Sequence, residues 1–324
     1  MLVDPVMALW SDRLFQAALV VLLIALVFGA LEYAAARVAR VMPAAAPEPA
    51  AVGASGGAVP DGPDTVEEPP ETGDRPKRAR PDRYGRIGVS LMVLAALLHL
   101  GSIVFRGLAA YRWPLGNMYE FCSALSLMAV VGWLVLVRKH PSLRPAGVFV
   151  LTPVVLLMFL TGTVLYLQAA PVLPALQSYW ITIHVTTITI GSGLLLIPGV
   201  ASVLFMLARN GKPASFAAKL PSAESLDRLA YRVTVFAFPL YTFGIITGAV
   251  WAEAAWNSFW SWDPKETVAF VAWVLYAAYL HARATSGWRT SRAAWINIAA
   301  FVTIVFNLFF INMVVSGMHS YAGL

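Results

Sequence analysis

The residues in this sequence whose chemistry stands out are five histidines and a dense run of tryptophans. The histidines are His99, His140, His184, His281 and His319. Trp251, Trp256, Trp260 and Trp262 fall within twelve residues, with Phe259 among them. Imidazole suits iron, copper and zinc. Flat aromatic faces suit a large, flat, apolar ligand oriented by a few polar groups. His184 lies near the start of one apolar run and His319 just past the end of another, on the side that carries the tryptophans. Two such imidazoles beside a tryptophan surface fit a haem, with iron held axially and the ring against indole. A bare metal fits less well, because no Cys or acidic set at ligand spacing joins these histidines. An aromatic belt at a bilayer interface is the bland alternative. A belt spreads its rings over many helix ends, whereas this is one cluster.

The elements that must position these residues are membrane helices. Hydrophobic residues make up 59% of the 324 and charged residues 12%, against roughly 25% charge in a soluble domain. A single soluble domain is thereby excluded. So are disorder over most of the length and a disulfide-stapled scaffold, since Cys122 is the one cysteine. About 20 apolar residues span a bilayer core, and eight runs qualify: 14–36, 87–105, 119–137, 147–168, 180–207, 232–250, 267–282 and 294–315. The first reads as a retained span rather than a signal peptide, because its flank carries Asp4, Asp12 and Arg13 and its run is long. The expected fold is an all-α integral membrane protein. Nineteen of the 23 basic residues fall in the four connections after odd-numbered spans, leaving Arg13, Arg106, Arg112 and Lys265 on the other side. The positive-inside rule then puts both termini outside. The net charge of +6 follows from topology, and nucleic acid loses its support as a partner.

Residues 43–82 are rich in Pro, Ala and Gly, with seven acids from Glu48 to Asp74 and then a basic run. By composition they form a disordered cytoplasmic linker. The expected organisation is an N-terminal helix (1–36), a linker (37–86) and a seven-helix core (87–324) with an external loop at 251–267. No internal repeat is visible. Asp263-Pro264-Lys265-Glu266 has an N-cap acid, Pro at the first helical position and Glu at the third, so Asp263 reads as a cap opening the seventh span. Such a cap fixes the tryptophan platform against the helix. His281 follows Thr267 by fourteen residues, about 21 Å deeper at helical rise. His99 lies about 18 Å up the second span by the same rise. Ionisable groups at such depths are rare and usually functional, although a hydrogen-bonded packing role competes. His140 reads as solvated and Cys122 as packing.

The run Trp256-Asn-Ser-Phe-Trp260-Ser-Trp262-Asp-Pro-Lys-Glu-Thr267 closely resembles the tryptophan-rich WWD signature of haem-handling proteins. Its ending resembles the CcsA/ResC branch, the integral-membrane component of the system II cytochrome c synthetase. Four other stretches agree: Pro114 to Glu120, Trp180 to Val185, Tyr276 to His281 and Gly317 to Ala322. The resemblance runs from about residue 86 to the C-terminus. Family members usually carry glycine after the first and second tryptophans, where this chain has Ala252 and Asn257.

The resemblance implies that His184 and His319 ligate haem iron, here haem b as substrate, beside the surface built by Trp251, Trp256, Trp260, Trp262 and Asp263. It implies that His281 serves haem within the bilayer. It further implies a multi-pass protein of the bacterial cytoplasmic membrane that acts with a CcsB/ResB-type membrane subunit, apocytochrome c and thiol-reducing proteins of the same pathway. The partner contributes a second transmembrane histidine, a role not carried to His99. The activity implied is that of a haem lyase joining haem to a Cys-x-x-Cys-His site; a haem exporter without ligase activity is the alternative. Thioether formation takes its nucleophiles from the apocytochrome, so the protein must supply orientation and proximity. Haem propionates call for cations, and Arg112 and Lys265 lie nearest the motifs.

Overall fold

The computed structural model describes residues 3–41, 80–172, 176–211, 220–285, 288 and 291–319. Eight helices are long and apolar enough to cross a membrane: α1 (Pro5–Val41), α2 (Arg80–Ala110), α3 (Met118–Lys139), α4 (Gly147–Thr163, led in by a 3₁₀ turn at Pro141–Ala146), α5 (Tyr179–Asn210), α6 (Ala223–Trp256), α7 (Pro264–Ala284) and α8 (Ser291–Val314, with a π turn at Asn307–Ile311). No strand occurs among the described residues. In hydrocarbon, a helix satisfies its own backbone, which a lone strand cannot do. The protein is an all-helical, multi-pass membrane protein.

Consecutive helices pair as α1/α2, α3/α4, α5/α6 and α7/α8. α3 and α5 form the centre: their most apolar stretches are 67% and 72% buried, against 22% for α1, α7 and α8. The chain alternates direction, so one end of the bundle gathers the starts of odd helices and the ends of even ones. There the Asp4 amide donates to the Ala109 carbonyl (2.9 Å) and Arg106 pairs with Glu120 (3.0 Å). Trp113 Nε1 donates to Thr186 Oγ1 (3.0 Å) at the same end. The opposite end holds the Arg144 pairs with Glu32 and Asp82 and the Arg283–Asp227 pair.

Each expected span lies over one helix, and the expected organisation takes four corrections. The fourth ends at Thr163 rather than 168. The amides of Val164 and Leu165 both turn back on the Leu160 carbonyl, and the carbonyls of Leu167 and Ala170 accept from Arg106 and Arg112, so guanidiniums capture groups a longer helix would use. The loop expected at 251–267 is helical at both ends, and only 257–263 is not. The linker expected at 37–86 is shorter, since α1 runs to Val41 and α2 starts at Arg80; its residues 42–79 lie outside the described residues. α1, read as separate from a seven-helix core, packs into that core. Phe15, Ala18, Leu22 and Ala25 share one buried cluster with Tyr119, Trp133 and Leu151, and Ser11 donates to the Ser102 carbonyl (2.9 Å).

Candidate functional site

α5 opens at Ser178, whose hydroxyl accepts from the Trp180 amide (3.2 Å). This start places His184 in the second turn, against α6. Its Nδ1 lies 2.7 Å from the Gly244 carbonyl. A carbonyl only accepts, so Nδ1 carries the proton and Nε2 keeps its lone pair. The contact needs a bare α6 face: a Cβ at Gly248 would fall 2.6 Å from His184 Cε1, and one at Gly244 would fall 2.9 Å from Ile188 Cδ1. Gly248 therefore makes room for the His184 ring and Gly244 for close approach to Ile188, as small residues do between membrane helices.

α6 ends at Trp256, and Asn257 follows in the left-handed conformation, φ 56°. Glycine is the usual residue there and asparagine the next, which accounts for Asn257 where glycine was expected. α7 then opens with a full capping box. Asp263 accepts from the Lys265 amide (3.2 Å), and Glu266 accepts from the amides of Asp263 (3.3 Å) and Ser261 (3.0 Å). Asp263 does more than cap. It also accepts from the Met318 amide (2.6 Å) and from His319 Nδ1 (2.9 Å), which fastens the segment after α8 to the start of α7. The carboxylate fixes the proton on Nδ1 and leaves His319 Nε2 as the lone-pair nitrogen. Burial holds the His319 imidazole below its usual range, opposed by the hydrogen bond to Asp263.

The tryptophans divide. Trp251 is 1% exposed and packs against both histidines. Its ring is parallel to His184 (4° at 6.1 Å) and edge-on to His319 (61° at 5.9 Å). Trp256 packs edge-on against Trp251 (4.7 Å) and His319 (5.1 Å). Trp260 lines the cavity beside them. Trp262, expected on the same surface, is 67% exposed and turned away; its backbone is left-handed, φ 60°. For a bulky residue that conformation costs about 1–2 kcal/mol, and the capping box on either side holds it.

His184, Trp251, Trp260, Lys265 and His319 line one cavity, open to solvent, with about 1250 Å³ of empty space counting its solvent-filled mouth. Much of the remaining wall is apolar and comes from α3, α5, α6 and α8, including Phe121, Ile188, Ile245 and Leu308, while Asn117, Ser192, Glu266, Asn307 and Asn312 add polar groups. Asp263 and Trp256 stand behind the lining. Arg112 does not line it. Its Nη1 and Nη2 hold Glu120 (2.7 and 2.8 Å), while Nε donates to the Ala170 carbonyl (2.8 Å). His281 lies on the exposed side of α7, at the opposite end. His99 is buried, 2.8 Å from Ser123 Oγ, and His140 Nε2 accepts from Arg232 (3.3 Å). Cys122 is buried in the core. No cluster of three or more His, Cys, Asp or Glu able to hold a metal occurs among the described residues.

Three features are not evident from the sequence: the Asp263–His319 bond, the buried Glu120 between Arg106 and Arg112, and the asparagines Asn307 and Asn312 on the cavity wall. Two signals point towards them. Asn117 and Glu120 stand at capping-box spacing, and two amides interrupt an apolar run.

A family profile described as "Cytochrome C assembly protein" matches residues 115–319. The cytochrome c biogenesis protein CcsA of Chlamydomonas reinhardtii is 35% identical, with 72% of this chain and 67% of that protein covered. CcsA of Synechococcus sp. (strain RCC307) is 35% identical over 72% and 84%, and that of Guillardia theta 33% over 74% and 86%. The solved structure of "Cytochrome c Heme Lyase CcmF" superposes with a TM-score of 0.60 at 16% identity. It covers 93% of this chain, which spans 46% of that one, and the likeness is one of fold.

Proposed function

Because the chain belongs to the cytochrome c assembly family, and within it to the CcsA proteins, we propose that it binds haem b between His184 and His319 and presents it for attachment to apocytochrome c. A role in cytochrome c maturation follows from the family. The observation that carries the finer reading is the pair of imidazoles, each with Nδ1 committed to an acceptor and Nε2 left with a lone pair, set around one aromatic cavity. That is the donor set an iron porphyrin takes. Trp251 and Trp260 supply flat apolar surface, Trp256 backs Trp251 and His319, and Asp263 orients His319.

Attachment adds each cysteine S–H across one vinyl C=C. Sulfur bonds to the carbon beside the ring, and the proton ends on the terminal carbon. Nothing leaves, and no nucleophile of this chain is consumed. What the protein contributes is a fixed approach of thiol to vinyl, assisted by a CcsB/ResB-type subunit and by thiol reductants. His281 is the inner station. It shares an exposed apolar stripe of α7 with Phe270, Val274 and Ala278, and an ionisable group there calls for a protein neighbour rather than lipid. At about 26 Å from the outer end of α7, it serves a separate, earlier stop for haem. The tryptophan end faces outward, because the basic residues gather at the other end. A reporter fused at Ser258 that proves active in the cytoplasm would reverse this direction.

The purified full-length protein is expected to show the spectrum of low-spin, bis-imidazole haem. His184→Gly and His319→Gly each lose it, and added imidazole partly restores it by refilling the vacant position. His281→Ala lowers haem loading at unchanged protein yield. A doubly substituted His184→Gly, His319→Gly protein with full haem and full maturation activity would exclude the assignment. Protein that carries haem but leaves apocytochrome unmodified alongside its partner points to a carrier without ligase activity.

A further inference from the structure

One part of the cavity wall is both polar and cationic. Lys265, on the first turn of α7, reaches across to α8, where its ammonium donates to Asn312 Oδ1. Asn312 is 9% exposed and spends its amide nitrogen on the Leu308 carbonyl (2.7 Å) and Met118 sulfur (3.1 Å). Asn307 donates to the Lys265 carbonyl (3.2 Å), and its Oδ1 is buried without a hydrogen-bond partner among the described residues. All three residues line the cavity. The π turn at Asn307–Ile311 makes this possible. In a regular α-helix, residues five apart point about 140° away from each other. The wider π turn brings Asn307 and Asn312 towards one face, and such turns gather at functional sites.

The charge is unbalanced here. Arg106 and Arg112 at this end are committed to Glu120. Lys265 forms no ion pair among the described residues, since the oxygens of neighbouring Asp263 hold the Met318 amide, the Lys265 amide and His319. An ammonium has three N–H donors, and one is used. Glu266 lines the cavity too, but its Oε2 is taken by the amides of Ser261 and Asp263 and by the Ser261 hydroxyl, so Lys265 is the cation with spare donors that can receive a carboxylate. The same cavity reaches the surface at Phe259, 59% exposed, next to Trp260.

We propose that Lys265, held in place by Asn312 at its ammonium and by Asn307 at its carbonyl, is a carboxylate-binding subsite that takes the propionate edge of haem. The vinyl edge, opposite the propionates on the porphyrin ring, then lies towards the exposed rim at Phe259 and Trp260. This proposal rests on the reading of the cavity as a haem site. The two ends of the cavity thereby differ in what they hold. The acids are kept inward, and the carbons that react face the side from which a protein thiol arrives. Lys265 acts here as a binding and orienting residue.

The test compares two probes on the full-length protein in detergent: haem, and haem dimethyl ester, in which both propionates are capped. Wild type is expected to bind the diacid about 10- to 100-fold more tightly, the worth of a charge-assisted hydrogen bond. Lys265→Met removes the preference by weakening the diacid alone, and the bis-imidazole spectrum stays. Lys265→Arg keeps part of the preference. Equal binding of the two probes by wild type overturns the proposal and requires no variant to fold. So does a preference undiminished in Lys265→Met or, should that protein not fold, in Asn312→Leu. Failure of the underlying reading looks different: neither probe gives a bis-imidazole spectrum in wild type.

Discussion

His184 and His319 both have Nδ1 on an acceptor but are held in different ways. His184 is fixed within a helix, against a backbone carbonyl and two glycines of a second helix. His319 lies beyond the last helix and is held by one carboxylate, that of Asp263. Asp263 therefore has three duties: it caps α7, tethers residues 318–319, and sets the tautomer of a ligand. These duties separate by substitution. Asp263→Asn keeps a good N-cap but loses the charge that strengthens the imidazole as a ligand. It should leave thermal stability within about 1 kcal/mol while altering the haem midpoint potential and weakening haem retention. Asp263→Ala should lose about 1 kcal/mol or more from the cap and lose haem as well. Unchanged potential and retention in Asp263→Asn would show that the carboxylate matters to the helix alone. Trp262 teaches a related point at the same scale. Its place in the motif suggests a fourth face for the ligand, yet one left-handed residue sends it to the surface.

The helices are legible in the sequence, because a bilayer demands long apolar runs and the chain supplies eight. The cap on α7 is legible for the same local reason: Asp, Pro and Glu stand where a helix start needs them. What cannot be read is anything that depends on which helices touch. Asp263 and His319 are 56 residues apart in sequence, and Arg106 and Glu120 lie on neighbouring helices. Neither pairing leaves a periodic trace. Closeness to a motif points Arg112 towards the ligand. The structure gives it to Glu120, whose carboxylate also accepts from the Gly116 amide (2.7 Å), so this pair braces the 112–117 connection, whose Leu115, Gly116 and Asn117 line the cavity. The π turn in α8 is equally hidden, since its cause is the packing of Asn307 and Asn312 against α7 and α3 rather than any local breaker.

At the scale of the molecule, α1 is held at three depths along its length. Asp12 meets Arg106 (3.9 Å) and Tyr166 (2.6 Å) at one end. Phe15 lies edge-on to His99 (5.5 Å) in between, and Glu32 meets Arg144 at the other end. These attachments are independent of the chain between Val41 and Arg80. Covalent continuity is therefore dispensable once the bundle is assembled, and the protein can be treated as two polypeptides that share one fold. Residues 1–41 and 80–324, encoded on separate genes and co-expressed, should co-purify in detergent and load haem as the unbroken chain does. Recovery of 80–324 alone, with α1 left in the membrane fraction, would show that the connection does more than carry the chain from one helix to the next.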